Sequence, residues 1–174
     1  MLLAHPGIDP NVELDHHMTI SRFLSSDDSK VSLDTVTDGR VLCTPLFLAA
    51  SHGYDQVIKS LVDDPDIDIN WKEEQSGSTA LIEAVRGRHR HVVRHILRHH
   101  NVDVNQKDSN GASALSIAAW EGYCEMVRML IKHPNIDVNV MIDGYTPYIL
   151  ALGKGHESIV KILERHPDTS LLIL

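Results

Sequence analysis

The sequence predicts an all-α solenoid of stacked helix-turn-helix units joined by short β-hairpin connectors. Three observations carry this expectation. A helix-start signature occurs four times, at Cys43-Thr44-Pro45-Leu46, Ser78-Thr79-Ala80-Leu81, Ala112-Ser113-Ala114-Leu115 and Tyr145-Thr146-Pro147-Tyr148. Successive hydroxyl positions are 35, 34 and 33 residues apart, a period that holds one supersecondary unit and a connector. Apolar stripes at helical spacing and alternating, Asp/Asn-rich exits then follow in register.

Each element has a local reason. The Thr or Ser offers an oxygen to the free N–H groups of a helix start, and Pro45 and Pro147 stand where a missing N–H costs nothing. The first helix is short and small-faced, as in Leu48-Ala49-Ala50 and Ile117-Ala118-Ala119, which lets a neighbouring helix approach closely. A Gly-containing turn reverses the chain. The second helix carries one core stripe: Val57, Ile58, Leu61; Val92, Val93, Ile96, Leu97; Met126, Val127, Leu130, Ile131; Ile159, Val160, Ile162, Leu163. Three units leave through Asp66-Ile67-Asp68-Ile69-Asn70, Asn101-Val102-Asp103-Val104-Asn105 and Asn135-Ile136-Asp137-Val138-Asn139, each ending in a residue that tolerates turns.

This combination of a Thr-Pro-Leu-type start, an Ala-Ala pair and an Asp-Val-Asn exit resembles the ankyrin repeat. The resemblance divides the chain into a partial N-terminal repeat (1–12), a non-repeat insertion (13–43), and repeats at 44–76, 77–110, 111–143 and 144–174. The partial repeat rests on Met1 to Asn11, which aligns with Met129 to Asn139. One departure stands out: the His that commonly follows Thr-Pro-Leu is replaced by Phe47, Ile82, Ser116 and Ile149, so apolar packing is expected to substitute at three of these sites. The apolar ending Leu171-Leu172-Ile173-Leu174 lacks the polar outer face of a terminal unit, and further repeats or another domain are expected to continue the chain.

The insertion is conspicuous because 33 positions separate Asn11 from Thr44, against 9, 8 and 7 in the later units. β-type residues at 18–24 and 30–37 flank a turn-like Ser25-Ser26-Asp27-Asp28-Ser29. Two readings stay open, a hairpin finger and a flexible insertion, and either makes the segment a candidate contact.

Composition limits the function classes. The 174 residues are 43% hydrophobic, enough for a real core, and the net charge of −8 argues against a general nucleic-acid or membrane-surface binder. Cys43 and Cys124 lie far apart and outside any C-x-x-C pattern, which supports neither a disulfide framework nor a Cys-based zinc site. No apolar run approaches the roughly 18 residues of a membrane span. The expected compartment is intracellular, cytoplasmic or nuclear. No G-x-S-x-G, phosphate-cradling Gly-rich loop or H-E-x-x-H occurs, so neither enzymatic activity nor a cofactor is expected.

Histidines and arginines concentrate at residues 86–100. Arg86, Arg88, Arg90, Arg94 and Arg98 stand there without an acidic residue, and His91, His95 and His99 follow helical spacing. Metal or acidic-ligand binding is one reading of this stretch; a solvated outer face is the other. His99 shares its register with His5, His133 and His166 near helix ends, where an imidazole can bond the last free carbonyls. A repeated position implies a repeated structural role, and no metal site is assigned.

The ankyrin resemblance implies a noncatalytic module that binds a partner protein through a concave face of hairpin tips and first helices. Transferred by position, that face contains Ser51 and His52, Arg86, Trp120 and Glu121, and Lys154, with Trp71, Lys107, Ser109, Asn110 and Tyr145 from the tips. Trp120 is the leading candidate on physical grounds as well, because it interrupts a small-residue helix and Trp and Arg dominate binding hot spots. The alternative is a structural spacer or regulatory array within a larger protein. Asn105 closes a segment that also resembles ankyrin sites of asparaginyl hydroxylation, while an Asn that makes the turn accounts equally for Asn70 and Asn139.

Overall fold

The computed structural model describes residues 43–170. The N-terminal half repeat, the insertion up to residue 42 and the apolar ending at 171–174 lie outside the described residues. Within them the chain forms four helix pairs: α1 (Pro45–His52) with α2 (Asp55–Val62), α3 (Ala80–Arg86) with α4 (Arg90–Ile96), α5 (Ala114–Trp120) with α6 (Cys124–Leu130), and α7 (Pro147–Gly153) with α8 (Glu157–Glu164). First helices pack on first helices and second on second, so the pairs stack in chain order.

Every first helix starts on its expected hydroxyl. Thr44, Thr79, Ser113 and Thr146 accept from the N–H three residues on, at 3.3, 3.3, 3.2 and 3.4 Å. Each such cap stabilises its helix by about 1 kcal/mol. Ser116, in the position where the ankyrin pattern that the sequence resembles commonly has His, closes a capping box by accepting from the Ser113 N–H at 2.8 Å. At the other three positions Ile82 is buried, Ile149 is half-buried, and Phe47 meets the Trp71 ring edge-on with centroids 5.7 Å apart. Apolar packing thus substitutes at Ile82, which joins the core, and at Phe47.

The core follows the predicted stripes. Ala49, Ala50, Ala84, Ala118, Ala119 and Ala151 are fully buried in the first helices, and Ile58, Leu61, Val93, Ile96, Val127, Leu130 and Leu163 in the second. Small side chains on one layer and branched ones on the other let short helices, which are marginal alone, share one continuous core. Among the described residues the connectors reduce to single antiparallel bridges, Lys72 with Thr79, Lys107 with Ser113 and Ile142 with Tyr145.

Two ladders of side chains tie each unit to the next. The Asn70 amide donates to the Asn101 carbonyl at 2.7 Å and accepts from the Asp103 N–H at 2.8 Å. Asn105 repeats this with Asn135 and Asp137 at 2.7 and 2.8 Å, and Asn139 with Asp168 and Ser170 at 2.6 and 2.7 Å. The exit asparagines therefore do more than make a turn. On the hairpins, the Lys72 ammonium donates to the Lys107 carbonyl at 2.7 Å and Lys107 to the Met141 carbonyl at 2.9 Å.

The histidines divide among structural roles. His89 and His156 lean on the preceding unit, donating from Nε2 to the Ser51 and Trp120 carbonyls at 3.2 and 3.0 Å. Their rings lie where a Cβ on Gly53 or Gly122 would stand, within 2.3 and 2.7 Å, and both glycines have φ near +75° (74° and 77°). A side chain there meets both strain and a ring. His99, His133 and His166 do not bond the free carbonyls as the sequence suggested. Their Nδ1 atoms accept from the N–H two residues on, at 3.3, 3.3 and 3.4 Å, because the exit bends back and leaves those N–H groups without a carbonyl partner.

His99 is buried, and burial followed by the adjacent His100, whose ring stacks on it at 4.7 Å, holds its pKa below the ordinary histidine value. The folded state therefore favours the neutral ring, and the unfolded state binds more protons as the pH falls. This contribution is complete above the unfolded pKa of about 6.5 and is lost as pH falls through the lower folded value. We expect the melting-temperature difference between wild type and His99→Gln to shrink from pH 7.5 toward pH 5. A pH-independent difference would disprove it.

Candidate functional site

The face built by the first helices and hairpins holds a cleft of about 480 Å³. α5 supplies Trp120 and half-buried Ile117, with Glu121 just beyond its end; α7 supplies Leu150; the two hairpins supply Asn110 and Tyr145. The second hairpin is tight. Asp143 and Gly144 both take positive φ, 51° and 83°, and Ile142 and Tyr145 exchange backbone hydrogen bonds at 3.0 and 2.9 Å, the two-residue Asp-Gly reversal suited to twisted strands. That turn sets Tyr145 at the mouth, 53% exposed, alongside Trp120 at 44%. The Lys154 ammonium sits 3.7 Å from the centre of the Trp120 ring, so the indole already receives a cation.

Arg86 borders the same cleft but is engaged internally. Its guanidinium donates to Asp108 Oδ2, and its Nε lies 3.3 Å from Glu83. The Asp108 side chain is 1% exposed, and its Oδ1 accepts from the Asn110 and Ala112 N–H groups at 2.9 and 2.8 Å. Asp108 thus holds its own hairpin and fastens it to the preceding unit through Arg86. Glu73 holds the earlier hairpin. Burial opposes its ionisation, but hydrogen bonds from the Ser76 hydroxyl and the Gln75 and Ser76 N–H groups outweigh this and keep its pKa below the usual value.

Five of the predicted site residues therefore meet at one cleft, namely Arg86, Asn110, Trp120, Glu121 and Tyr145, and Lys154 caps its Trp wall. The others do not join them. Ser51 and His52 turn back to the Leu48 carbonyl at 2.9 and 3.0 Å. Trp71 packs on Phe47, Lys107 donates to Met141, and Ser109 bonds the preceding tip through the Gln75 and Ser76 carbonyls at 3.3 and 2.7 Å. Asp108 belongs to the same hairpin tip as Lys107, Ser109 and Asn110, and its bracing role is not evident from that position alone. Its signal was the repeated pair Lys72-Glu73 and Lys107-Asp108, one period apart.

The Arg/His stretch does not converge on a metal. His95 faces Asp55 of α2 at 3.4 Å, His99 is buried and His91 is exposed; among the described residues no group of three or more His, Cys, Asp or Glu gathers. Arg88 takes the left-handed position that Gly fills in the other turns, with φ 59°, and its guanidinium covers the Tyr123 ring at 4.8 Å. Cys43 is buried, and burial followed by the Glu73 charge pushes its thiol pKa up, away from a nucleophile's.

A family model of ankyrin repeats, in three copies, matches residues 11–108, 46–142 and 93–171. The chain belongs to the ankyrin-repeat family. No curated protein matches it. Ankyrin repeats are generally protein–protein interaction modules, and the cleft lies on the first-helix and hairpin face that the resemblance implied. No helix among the described residues is long and apolar enough to cross a membrane.

Proposed function

We propose that this ankyrin-repeat chain is a noncatalytic module that binds a partner protein at the cleft walled by Trp120 and Tyr145. The observation that carries the reading is the exposure of these two large aromatic side chains, from different repeats, in the lining of one depression. Rigid aromatics bury much area for little conformational entropy, and such pockets centre binding hot spots. The stacked core and inter-repeat ladders hold the two walls in place before any partner arrives. Glu121 and Asn110 add polar contacts at the rim, while Arg86 and Lys107 contribute by holding the site together.

The test is a quantitative pull-down with wild type and a Trp120→Ala/Tyr145→Ala double variant, after circular dichroism shows equal helicity. Recovery of the specific partner is expected to fall at least about tenfold, the effect of losing one modest hot spot. Equal recovery by both proteins would remove the cleft from consideration. Arg86→Glu is a poor probe, because it strands the buried Asp108 carboxylate and confuses misfolding with lost recognition.

A further inference from the structure

The arginines of residues 86–100 are part of a larger array. α4 and α6 are neighbouring second helices, and the 34-residue period sets Arg94 in register with Arg128 and Arg98 with Lys132. These four cations border a groove of about 630 Å³ that also contains half-buried Leu97 and Met129. Glu125 is the carboxylate on its border, and Arg90 holds it at 3.1 Å. Among the described residues none of the four cations has an ion-pair partner. Lys161 and Arg165 extend the register into the fourth unit, and Lys59 extends it into the first, where Asp63 ends the second row.

We propose that this second-helix groove docks an extended acidic segment of a partner protein, with acidic residues at every third position and apolar residues between them. Packed helices lie about 8–10 Å apart, and a chain in the extended polyproline-II conformation advances about 3.1 Å per residue with three residues per turn, so one turn spans the step from one repeat to the next and brings every third side chain back to the same face. An acidic side chain then meets a cation pair at each step, while intervening apolar groups cover Leu97 and Met129. Inorganic phosphate or nucleic acid would satisfy the charges and leave those two side chains uncovered. The chain's overall net charge of −8 makes this basic surface a local exception, with attraction that salt should screen. The groove belongs to the second helices and the aromatic cleft to the first helices and hairpins, so mutations separate the two sites.

The experiment is fluorescence anisotropy with the full 174-residue chain and a fluorescein-labelled synthetic peptide about twelve residues long, with Asp at every third position and Leu and Ser between. A second peptide groups the same Asp residues at one end. The spaced peptide is expected to bind more tightly than the grouped one, to weaken with added salt, and to lose at least about tenfold in affinity to Arg98→Glu/Lys132→Glu. Both replaced side chains are exposed, and circular dichroism checks that the fold persists. Trp120→Ala/Tyr145→Ala is expected to bind the peptide as wild type does. No binding of the spaced peptide at about 1 mM, equal affinity for both peptides, or an unaffected reversal variant each overturns the proposal. A salt-sensitive dimer that the reversal abolishes assigns the groove to a second copy instead.

Discussion

Asp108→Ala is expected to lower the free energy of unfolding by about 3 kcal/mol in urea denaturation. The carboxylate receives the Arg86 guanidinium on one oxygen and two backbone N–H groups on the other, with its side chain 1% exposed. Removing it leaves the Asn110 and Ala112 donors unpaired, and Ala112 itself is buried. It also leaves Arg86 beside a cavity, although the 43% exposure of Arg86 lets water recover part of that loss. Asp108→Asn keeps an oxygen for the two N–H groups and lacks the charge for Arg86, so its cost should be smaller, about 1 to 2 kcal/mol. That ordering distinguishes a hairpin brace from a simple surface ion pair, which would contribute less than about 1 kcal/mol. Equal, sub-kilocalorie effects of both substitutions would show that the hairpin does not depend on the carboxylate.

The same residue shows where sequence reading stops. Period, caps, stripes and exits were legible because each is a local choice repeated from unit to unit: Thr44, Thr79, Ser113 and Thr146 occupy equivalent positions and perform the same capping. Trp120 was legible as an anomaly in a small-residue helix, and Tyr145 as a tip residue. The division of labour between Arg86 and its neighbours was not, since it depends on a carboxylate 22 residues away. Nor were the partners of the exit asparagines, because backbone N–H and carbonyl groups are present at every residue and give no sequence signal. Likewise the His99 register signalled repetition, and the geometry of the bent exit decided that the imidazole accepts instead of donating. The basic groove needed structure for a further reason: Arg128 and Lys132 stand outside the charge run that made residues 86–100 conspicuous.

Asn105→Ala is expected to lower the urea midpoint by the equivalent of about 2 kcal/mol and to reduce the cooperativity of unfolding. The side chain makes two bonds to the next repeat, 2.7 Å to the Asn135 carbonyl and 2.8 Å to the Asp137 N–H, so alanine removes a connection as well as local contacts. In a linear array stability combines the intrinsic terms of each unit with the coupling between neighbours. Asn105 couples the two central repeats. Weakening that junction lets the halves on either side of it open separately, which should lower the apparent m-value as well as the midpoint. Asn139→Ala breaks the equivalent pair of bonds to Asp168 and Ser170, but frees only the end of the described solenoid. It should spare the main transition and instead speed amide hydrogen exchange in α8. If both substitutions shift the main transition equally with m unchanged, the asparagines act as independent local turns and the ladder does not transmit stability between repeats.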